Sequence, residues 1–342
     1  MIIVFLFKQV ERVLEATKKW TVATYIFNRS SEEMPMNEYK TVGQIIEELS
    51  LKTDFPLVFS ESEKEMAKDF FVVHNYYSFQ IYRKFLPRVE GKIYNFTDCL
   101  TLYRFNDFLR EEINKFAGIV ELLFRSTLVT HLCTYYEGDF HKGEFYLDKS
   151  IYAKESVANE ILLGFSNRIK ESKSDAVIHH IEKKNKAIPF WLIVEEATFG
   201  ELYHFVTCLN QEYRYYWIDQ AFGKAYRKFM MSWVKSVNIM RNTCAHYGRI
   251  YARYFSTVPP KLIREDMIKA GMQKGGNNNN KTLFAQLLTL KNLIKYNSFY
   301  HDEWNLFIDR LDLMIFDNKE IIALSRMGFP INWKECLRIS EL

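Results

Sequence analysis

The chain has 342 residues, of which 48% are hydrophobic and 26% charged, and its formal net charge is only +4. With 13 glycines and 7 prolines, this composition is typical of a protein that folds around a core and excludes a disordered chain. The 5 cysteines form no CxxC pair, so we expect reduced thiols, and the apolar start "MIIVFLF" is too short to span a membrane. We therefore expect a cytoplasmic protein without a membrane segment.

A sequence pattern typical of the start of a domain occurs near residue 34. The stretch "MPMNEYKTVGQIIEELS" has the appearance of a new start, and the residues before it have no clear pattern. We predict an N-terminal extension of unknown role over residues 1–37 and a single domain over residues 38–340. No internal repeat is visible in the sequence.

The clearest predicted element is one long helix that starts near residue 98. Its apolar residues recur at steps of three or four, which is the helical period. The helix is expected to continue to the low 130s, roughly 50 Å at 1.5 Å per residue. Thr97 or Asp98 is the predicted N-cap. The residues of the stripe are Leu102, Phe105, Leu109, Ile113, Phe116, Val120 and Leu123.

Two capping boxes predict the starts of further helices. Ser60 pairs with Glu63 in the first, and Thr198 pairs with Glu201 in the second, so "FWLIVEEA" and "ELYHFVTCL" are predicted as two helices broken at "TFG". Only "KIYNF" alternates as a strand does, and "KGGNNNNK" is predicted to be a loop. We therefore predict an all-α protein, a helical bundle with little or no sheet. Other helices are expected near residues 40–50, 153–170, 175–185, 217–246, 281–297, 301–316 and 318–326.

Positive charge is concentrated in one part of the chain, residues 212–264. This window holds ten Lys or Arg against two acidic residues, a net charge of +8. Aromatic residues alternate with these charges, as expected of a surface that binds single-stranded RNA through phosphates and stacked bases. The alternative is a solvated helix face whose aromatics point into the core, and for most of these aromatics we favour it. The predicted RNA-binding residues are Lys224, Arg227, Lys228, Lys235, Tyr247, Arg249, Tyr251 and Arg253.

The segment "RNTCAH" carries the predicted catalytic residues Arg241, Asn242 and His246. Histidine exchanges a proton near neutral pH, and arginine binds phosphate oxygens through its fork of N–H groups. One acid–base group and one phosphate-binding group are the minimum for cleaving RNA, because the ribose 2′-hydroxyl supplies the nucleophile. None of the 8 histidines belongs to an HExxH or a Cys/His cluster, so we expect no metal and no cofactor.

Arg125 and His131 form a second match to the same spacing. Glu121 lies four residues before Arg125, so an ion pair within the long helix explains this arginine without catalysis. A composite site built from both motifs remains the alternative.

The helical spacing of the motif points to a dimer. Five residues turn a helix by roughly 500°, so Arg241 and His246 lie about 140° apart, whereas Asn242 and His246 are stacked one turn apart. A single helix therefore makes a poor active site from these residues. Two copies of the helix that meet at a twofold axis bring two histidines and two arginines together, so we predict a homodimer. Gly248 is predicted to end the helix.

The chain resembles the Abi-like abortive-infection proteins (the AbiD/AbiF group) of the HEPN superfamily. The resemblance covers residues 38–338 and rests on several segments in order. In the box "LYRFND" the family usually has an earlier acidic residue, where this chain has Asn106 followed by Asp107. The segments are "KTVGQIIEEL", "NYYSFQIY", "FTDCLTLYRFNDFLREEI", "VELLFRS", "PFWLIVEEATFGEL", "RNTCAHYGRIY" and "MGFPINW".

The resemblance implies a HEPN-type helical bundle with additional helices, a dimer, and a metal-independent endoribonuclease that leaves a 2′,3′-cyclic phosphate. It implies a toxin-like role in antiphage defence, with Arg241 and His246 as the catalytic pair and Asn242 as a polar helper. A noncoding RNA that restrains the protein, as the antitoxin of a toxin–antitoxin pair, or guides it is an expected partner. The main alternative is a non-catalytic RNA-binding protein in a ribonucleoprotein; a weaker one is a protein-interaction or nucleotidyl-modified partner.

Overall fold

The computed structural model describes residues 38–272 and 279–340. The chain divides into two units, residues 1–48 and residues 49–342, and the site considered below belongs entirely to the second. The predicted extension over residues 1–37 lies outside the described residues, as does most of the predicted loop "KGGNNNNK". The domain boundary at residue 37 therefore stays a prediction.

Helices dominate the described residues, and the two strands have two residues each, which confirms the predicted all-α fold. The predicted strand "KIYNF" contains β2 (Tyr94–Asn95), which pairs in parallel with β1 (Leu57–Val58). The α-helices are α1 (Val42–Leu51), α2 (Glu61–Val73), α3 (Tyr76–Phe79), α4 (Phe96–Tyr135), α5 (Glu155–Glu171), α6 (Asp175–Lys183), α7 (Phe190–Glu196), α8 (Phe199–Cys208), α9 (Gln211–Ala221), α10 (Met230–Ala245), α11 (Arg264–Lys269), α12 (Leu283–Ile294), α13 (His301–Asp317) and α14 (Trp333–Leu337). Single 3₁₀ turns occur at Tyr82–Phe85, Lys142–Leu147, Lys149–Ile151, Lys224–Tyr226, Asn279–Lys281, Ser298–Tyr300 and Leu324–Met327.

Helix α4 is the central element of the second unit. It begins with a capping box in which Asn95 Oδ1 accepts from the Asp98 N–H at 2.8 Å and Asp98 Oδ2 accepts from the Asn95 N–H at 2.9 Å. The predicted N-cap, Thr97 or Asp98, was therefore wrong by two or three residues. The predicted stripe is buried except at Leu123, which is half-buried.

By length and composition, α4 is also the one helix of the described residues that is apolar enough to cross a membrane. Phe105, Leu109, Ile113 and Phe116 in its apolar stripe are all completely buried inside the protein. Such burial is typical of the core helix of a folded domain.

Both predicted capping boxes are present at the starts of α2 and α8, and the break at "TFG" separates α7 from α8. Two other helix predictions were wrong. The helix expected over residues 217–246 is interrupted between α9 and α10, because Gly223 has a positive φ of 96° that ends the helical path. Residues 318–326 form turns and the start of a 3₁₀ helix, and α14 was not predicted.

The break at Gly223 gives a stability prediction with a matched control. We expect Gly223→Ala to lower the free energy of unfolding by about 1–3 kcal/mol, because a Cβ at φ 96° is strained. Gly118 lies within α4 and has no heavy atom within 4 Å of a built Cβ, so Gly118→Ala should raise stability by up to about 1 kcal/mol. Urea unfolding of both variants measures the two effects, and equal signs would contradict the assignment of the break to Gly223.

Helix α10 and the segment that follows it run antiparallel to α4. Arg241 faces Glu121, Tyr247 faces Arg110, and the Ile250 N–H donates to Asn106. The residue numbers therefore rise along α10 and the following segment while those of their partners fall along α4. On its inner side α10 contacts α12, where the Ser236 hydroxyl donates to Gln286 Oε1 at 2.5 Å. This packing places the C-terminal end of α10 at the surface beside α4.

Candidate catalytic site at the end of helix α10

Two nested backbone hydrogen bonds close the C-terminal end of α10. The Gly248 N–H donates to the Thr243 carbonyl at 2.8 Å, and the Tyr247 N–H donates to the Cys244 carbonyl at 3.0 Å, which together form a Schellman motif. The residue in the left-handed conformation is Tyr247, with φ 55°, and not the predicted Gly248. A Cβ on Gly248 would lie 2.8 Å from the Thr243 Cγ2 atom, so this position still requires glycine.

His246 is the C-cap residue of α10, and its side chain is exposed. Its backbone N–H donates to the Asn242 carbonyl at 3.1 Å, as expected for two residues stacked one turn apart. Within residues 38–272 and 279–340, no side chain forms a hydrogen bond or ion pair with the imidazole. The ring is therefore accessible to a ligand.

Arg241 is half-exposed and is held between two polar neighbours. Its Nε atom lies 3.4 Å from Glu121 Oε2, and its Nη1 donates to Asn242 Oδ1 at 3.2 Å. Asn242 in turn donates weakly to Asn238 Oδ1 at 3.5 Å. These contacts orient the guanidinium and leave 41% of the side chain accessible, so it can still approach a phosphate.

Glu121 also pairs with Arg125 at 2.6 Å, which confirms the ion pair predicted within the long helix. Glu121 therefore bridges the arginines of both sequence matches, a contact that the sequence did not reveal. Arg125 is buried. The burial of His131 lowers the pKa of its own imidazole. No contact joins His131 to Arg241 or His246 in the described residues, so the structure gives the composite site no support.

Asn106 positions the segment that follows the motif. Its buried Oδ1 accepts from the backbone N–H of Ile250 at 2.7 Å and of Tyr251 at 3.0 Å. This contact was not predicted from the sequence. The side chain ties the chain after α10 to α4 and so fixes where α10 ends.

The predicted RNA-binding tract does not form one patch. Lys224, Arg227 and Lys228 lie before α10, while His246 lies after its 16 residues, a separation of about 24 Å at 1.5 Å per residue. Arg227 forms an ion pair with Asp219 and stacks on Tyr215. Lys224 and Lys228 are exposed.

The other predicted RNA-binding residues divide into buried and accessible ones. Tyr251 was predicted to contact RNA, but it is completely buried, and its hydroxyl accepts from the Ala323 N–H, so its ring offers no face to a base. Arg249 is half-buried, donates to the Tyr251 carbonyl and stacks on Phe85 at 4.5 Å. Burial lowers the pKa of Arg249.

Besides Lys224 and Lys228, three predicted residues keep an accessible side chain. Tyr247 is 81% exposed. Arg253 is half-buried and stacks on Phe255 at 5.6 Å, and Lys235 lies over the Tyr203 ring at 5.1 Å. As expected, other aromatics of the tract, such as Trp217 and Trp233, belong to the core.

The family of the chain follows from a match over residues 69–252, more than half of its length, to the model described as Abi-like protein. The chain belongs to the Abi-like protein family. The match begins in α2 and ends just after the motif, so "KTVGQIIEEL" and "MGFPINW" lie outside it. Comparisons with curated proteins and with solved structures gave no match.

Two further observations bear on the chemistry of this Abi-like protein. Cys244 lies two residues before His246, and burial raises the pKa of its thiol to about 12, so it is not a thiolate at neutral pH. Among the described residues, no group of three or more His, Cys, Asp or Glu side chains is arranged to hold a metal ion.

Proposed function

We propose that this Abi-like protein is a HEPN-type, metal-independent endoribonuclease of the cytoplasm that acts in phage defence by abortive infection. The family points to abortive infection. The observation that supports the ribonuclease is the arrangement at the end of α10, where an exposed imidazole with no partner among the described residues lies one turn from Asn242. Asn242 in turn accepts from the half-exposed guanidinium of Arg241.

In the proposed reaction, His246 removes the proton of the ribose 2′-hydroxyl, and the 2′-oxygen attacks the adjacent phosphorus. The bond from phosphorus to the 5′-oxygen breaks, and that oxygen takes a proton from an imidazolium. The products are a 2′,3′-cyclic phosphate and a 5′-hydroxyl. Arg241 donates to the non-bridging oxygens, where negative charge increases in the transition state, and Asn242 holds the guanidinium in place.

The reaction needs a base and an acid, and one α10 supplies a single histidine. We therefore propose a homodimer in which the ends of two α10 helices meet, so that one His246 accepts the first proton and its twin donates the second. The exposure of His246 and Tyr247 in the single chain is compatible with such an arrangement.

RNA is both the proposed substrate and the proposed regulator. A structured noncoding RNA that binds Lys224, Arg227, Lys228, Lys235 and Arg253 would restrain or direct the enzyme. Because α10, about 24 Å long, separates the basic residues before it from those after it, one base at the active site would not contact both sets. The first set therefore fits an extended or folded RNA.

The test is cleavage of total RNA by the purified protein in EDTA. We expect full activity without divalent metal, fragments with 2′,3′-cyclic phosphate and 5′-hydroxyl ends, and a dimer by light scattering. A strict requirement for a metal, or 5′-phosphate ends, would overturn the mechanism. Salt-sensitive binding of RNA without any cleavage would instead favour the non-catalytic ribonucleoprotein.

A further inference from the structure

A cleft of about 740 Å³ opens beside the C-terminal end of α10. It is formed by the segment 73–82, by one face of α4, and by the residues that directly follow His246. Apart from Tyr247 and Arg249, its lining residues were not identified from the sequence as parts of a site. The cleft is large enough to enclose one nucleotide.

Aromatic rings line the cleft. Tyr77 and Tyr247 are 64% and 81% exposed, which is unusual for residues of this size. Tyr103 lies deeper and packs against His74 with the ring centroids 5.5 Å apart. Exposed tyrosines around a cleft provide faces on which an unpaired base can stack.

The polar groups that line the cleft include a carboxylate and a guanidinium in contact. Arg110 Nη2 lies 2.8 Å from Asp107 Oδ1, an oxygen that is itself buried, while the side chains of Arg110 and Asp107 remain 13% and 28% accessible. Arg249 also lines the cleft and adds a second positive charge. The cleft therefore offers hydrogen-bond acceptors and donors next to each other, with an excess of positive charge that favours a nucleotide.

Tyr247 joins this cleft to the proposed catalytic residue. It directly follows His246, so their Cα atoms are about 3.8 Å apart. Its ring lies 5.0 Å from the guanidinium of Arg110, which holds the ring towards α4. A base bound against Tyr247 would thus belong to a nucleotide next to the one whose link is cleaved.

We propose that the cleft binds one unpaired guanine base of the substrate RNA, stacked on tyrosine and recognised by Asp107 and Arg110, next to the link that is cut. This inference rests on the proposed ribonuclease. Guanine presents two neighbouring N–H donors, which the second oxygen of the Asp107 carboxylate would accept, and a carbonyl oxygen beside them, which a guanidinium recognises. Adenine, cytosine and uracil lack this row of two donors and one acceptor.

The first experiment needs no cleavage. His246→Ala protein is irradiated with an RNA in which 6-thioguanosine replaces guanosine, and crosslinked peptides are identified by mass spectrometry. We expect crosslinks in peptides that contain Tyr77, Tyr103 or Tyr247. Crosslinks confined to other peptides would overturn the inference, even if the wild-type enzyme cleaves RNA as proposed.

The second experiment sequences the ends produced from a random RNA pool. We expect guanine to be enriched at one position beside the cut and Asp107→Asn to reduce this enrichment about tenfold, the effect of one lost base contact. Glu65→Gln is the control, because it removes the carboxylate of another i,i+3 ion pair, on α2 and outside the cleft.

The outcomes separate the two proposals. Cleavage without any base preference, or a preference unchanged in Asp107→Asn, would remove the guanine subsite and leave the ribonuclease in place. No cleavage by the wild-type protein, with crosslinks still in the cleft, would remove the ribonuclease and leave the base-binding site. If Asp107→Asn does not fold, the crosslinking experiment decides, because it leaves Asp107 intact.

Discussion

We expect His246→Ala and Arg241→Ala each to lower the rate of RNA cleavage by about 10²–10⁴-fold, the usual contribution of a positioned acid or base and of a charge that stabilises the transition state. Both side chains are accessible at the end of α10, so neither substitution opens a cavity in the core. The rate of cleavage of a labelled RNA at saturating enzyme measures the loss.

Two substitutions elsewhere serve as matched controls. Arg168 forms a surface ion pair with Glu201 and keeps 39% of its side chain exposed, close to the 41% of Arg241. His179 is an exposed histidine on α6. Arg168→Ala and His179→Ala should each cleave within a factor of about two of wild type, since surface pairs contribute little.

Stability must be measured alongside activity. Arg241→Ala removes one partly exposed ion pair, and Glu121 keeps its contact with Arg125, so the free energy of unfolding should fall by no more than about 1 kcal/mol. Wild-type cleavage by either folded variant would show that the motif is structural.

We expect Asn106→Leu to lower the free energy of unfolding by about 2–4 kcal/mol, because two buried backbone N–H groups lose their acceptor. Leucine branches at Cγ as asparagine does but is larger, so strained packing at this buried position adds to the effect. Urea unfolding measures the change. The segment from Tyr247 to Tyr251 should also lose its fixed position, so cleavage should fall even under conditions where the variant is folded.

Asn106→Asp tests whether the loss of stability comes from the hydrogen bonds that the Asn106 oxygen accepts. Aspartate retains an oxygen acceptor at the same position, and the Nδ2 atom of Asn106 has no partner in the described residues. We therefore expect Asn106→Asp to lose less stability than Asn106→Leu at pH 5, where burial favours the neutral acid. Equal losses in the two variants would argue against the hydrogen bonds as the cause.

Elements that depend on neighbours in the sequence were predictable. The stripe from Leu102 to Val120 predicted α4 because apolar residues at helical spacing must share a buried face. Ser60 with Glu63 and Thr198 with Glu201 predicted two helix starts because a capping box lies within four residues. The helix expected over residues 217–246 is interrupted at Gly223, which has a positive φ. The spacing of apolar residues does not predict the backbone conformation of a glycine.

The sequence by itself determined the helical class, the Abi-like family and the place of Arg241, Asn242 and His246 on one helix, because periodicity, capping and motif spacing are local. Only the tertiary structure decided which side chains surround that helix. Glu121 reaches Arg241 from α4, and Asn106 bonds to Ile250 from 144 residues away.

Two other features of the fold could not be predicted from the spacing of residues along the chain. The same packing buries Tyr251 in the core and assembles the tyrosine-lined cleft beside His246. Such contacts depend on how α4 and α10 pack against each other, and the spacing of residues within either helix does not specify that arrangement.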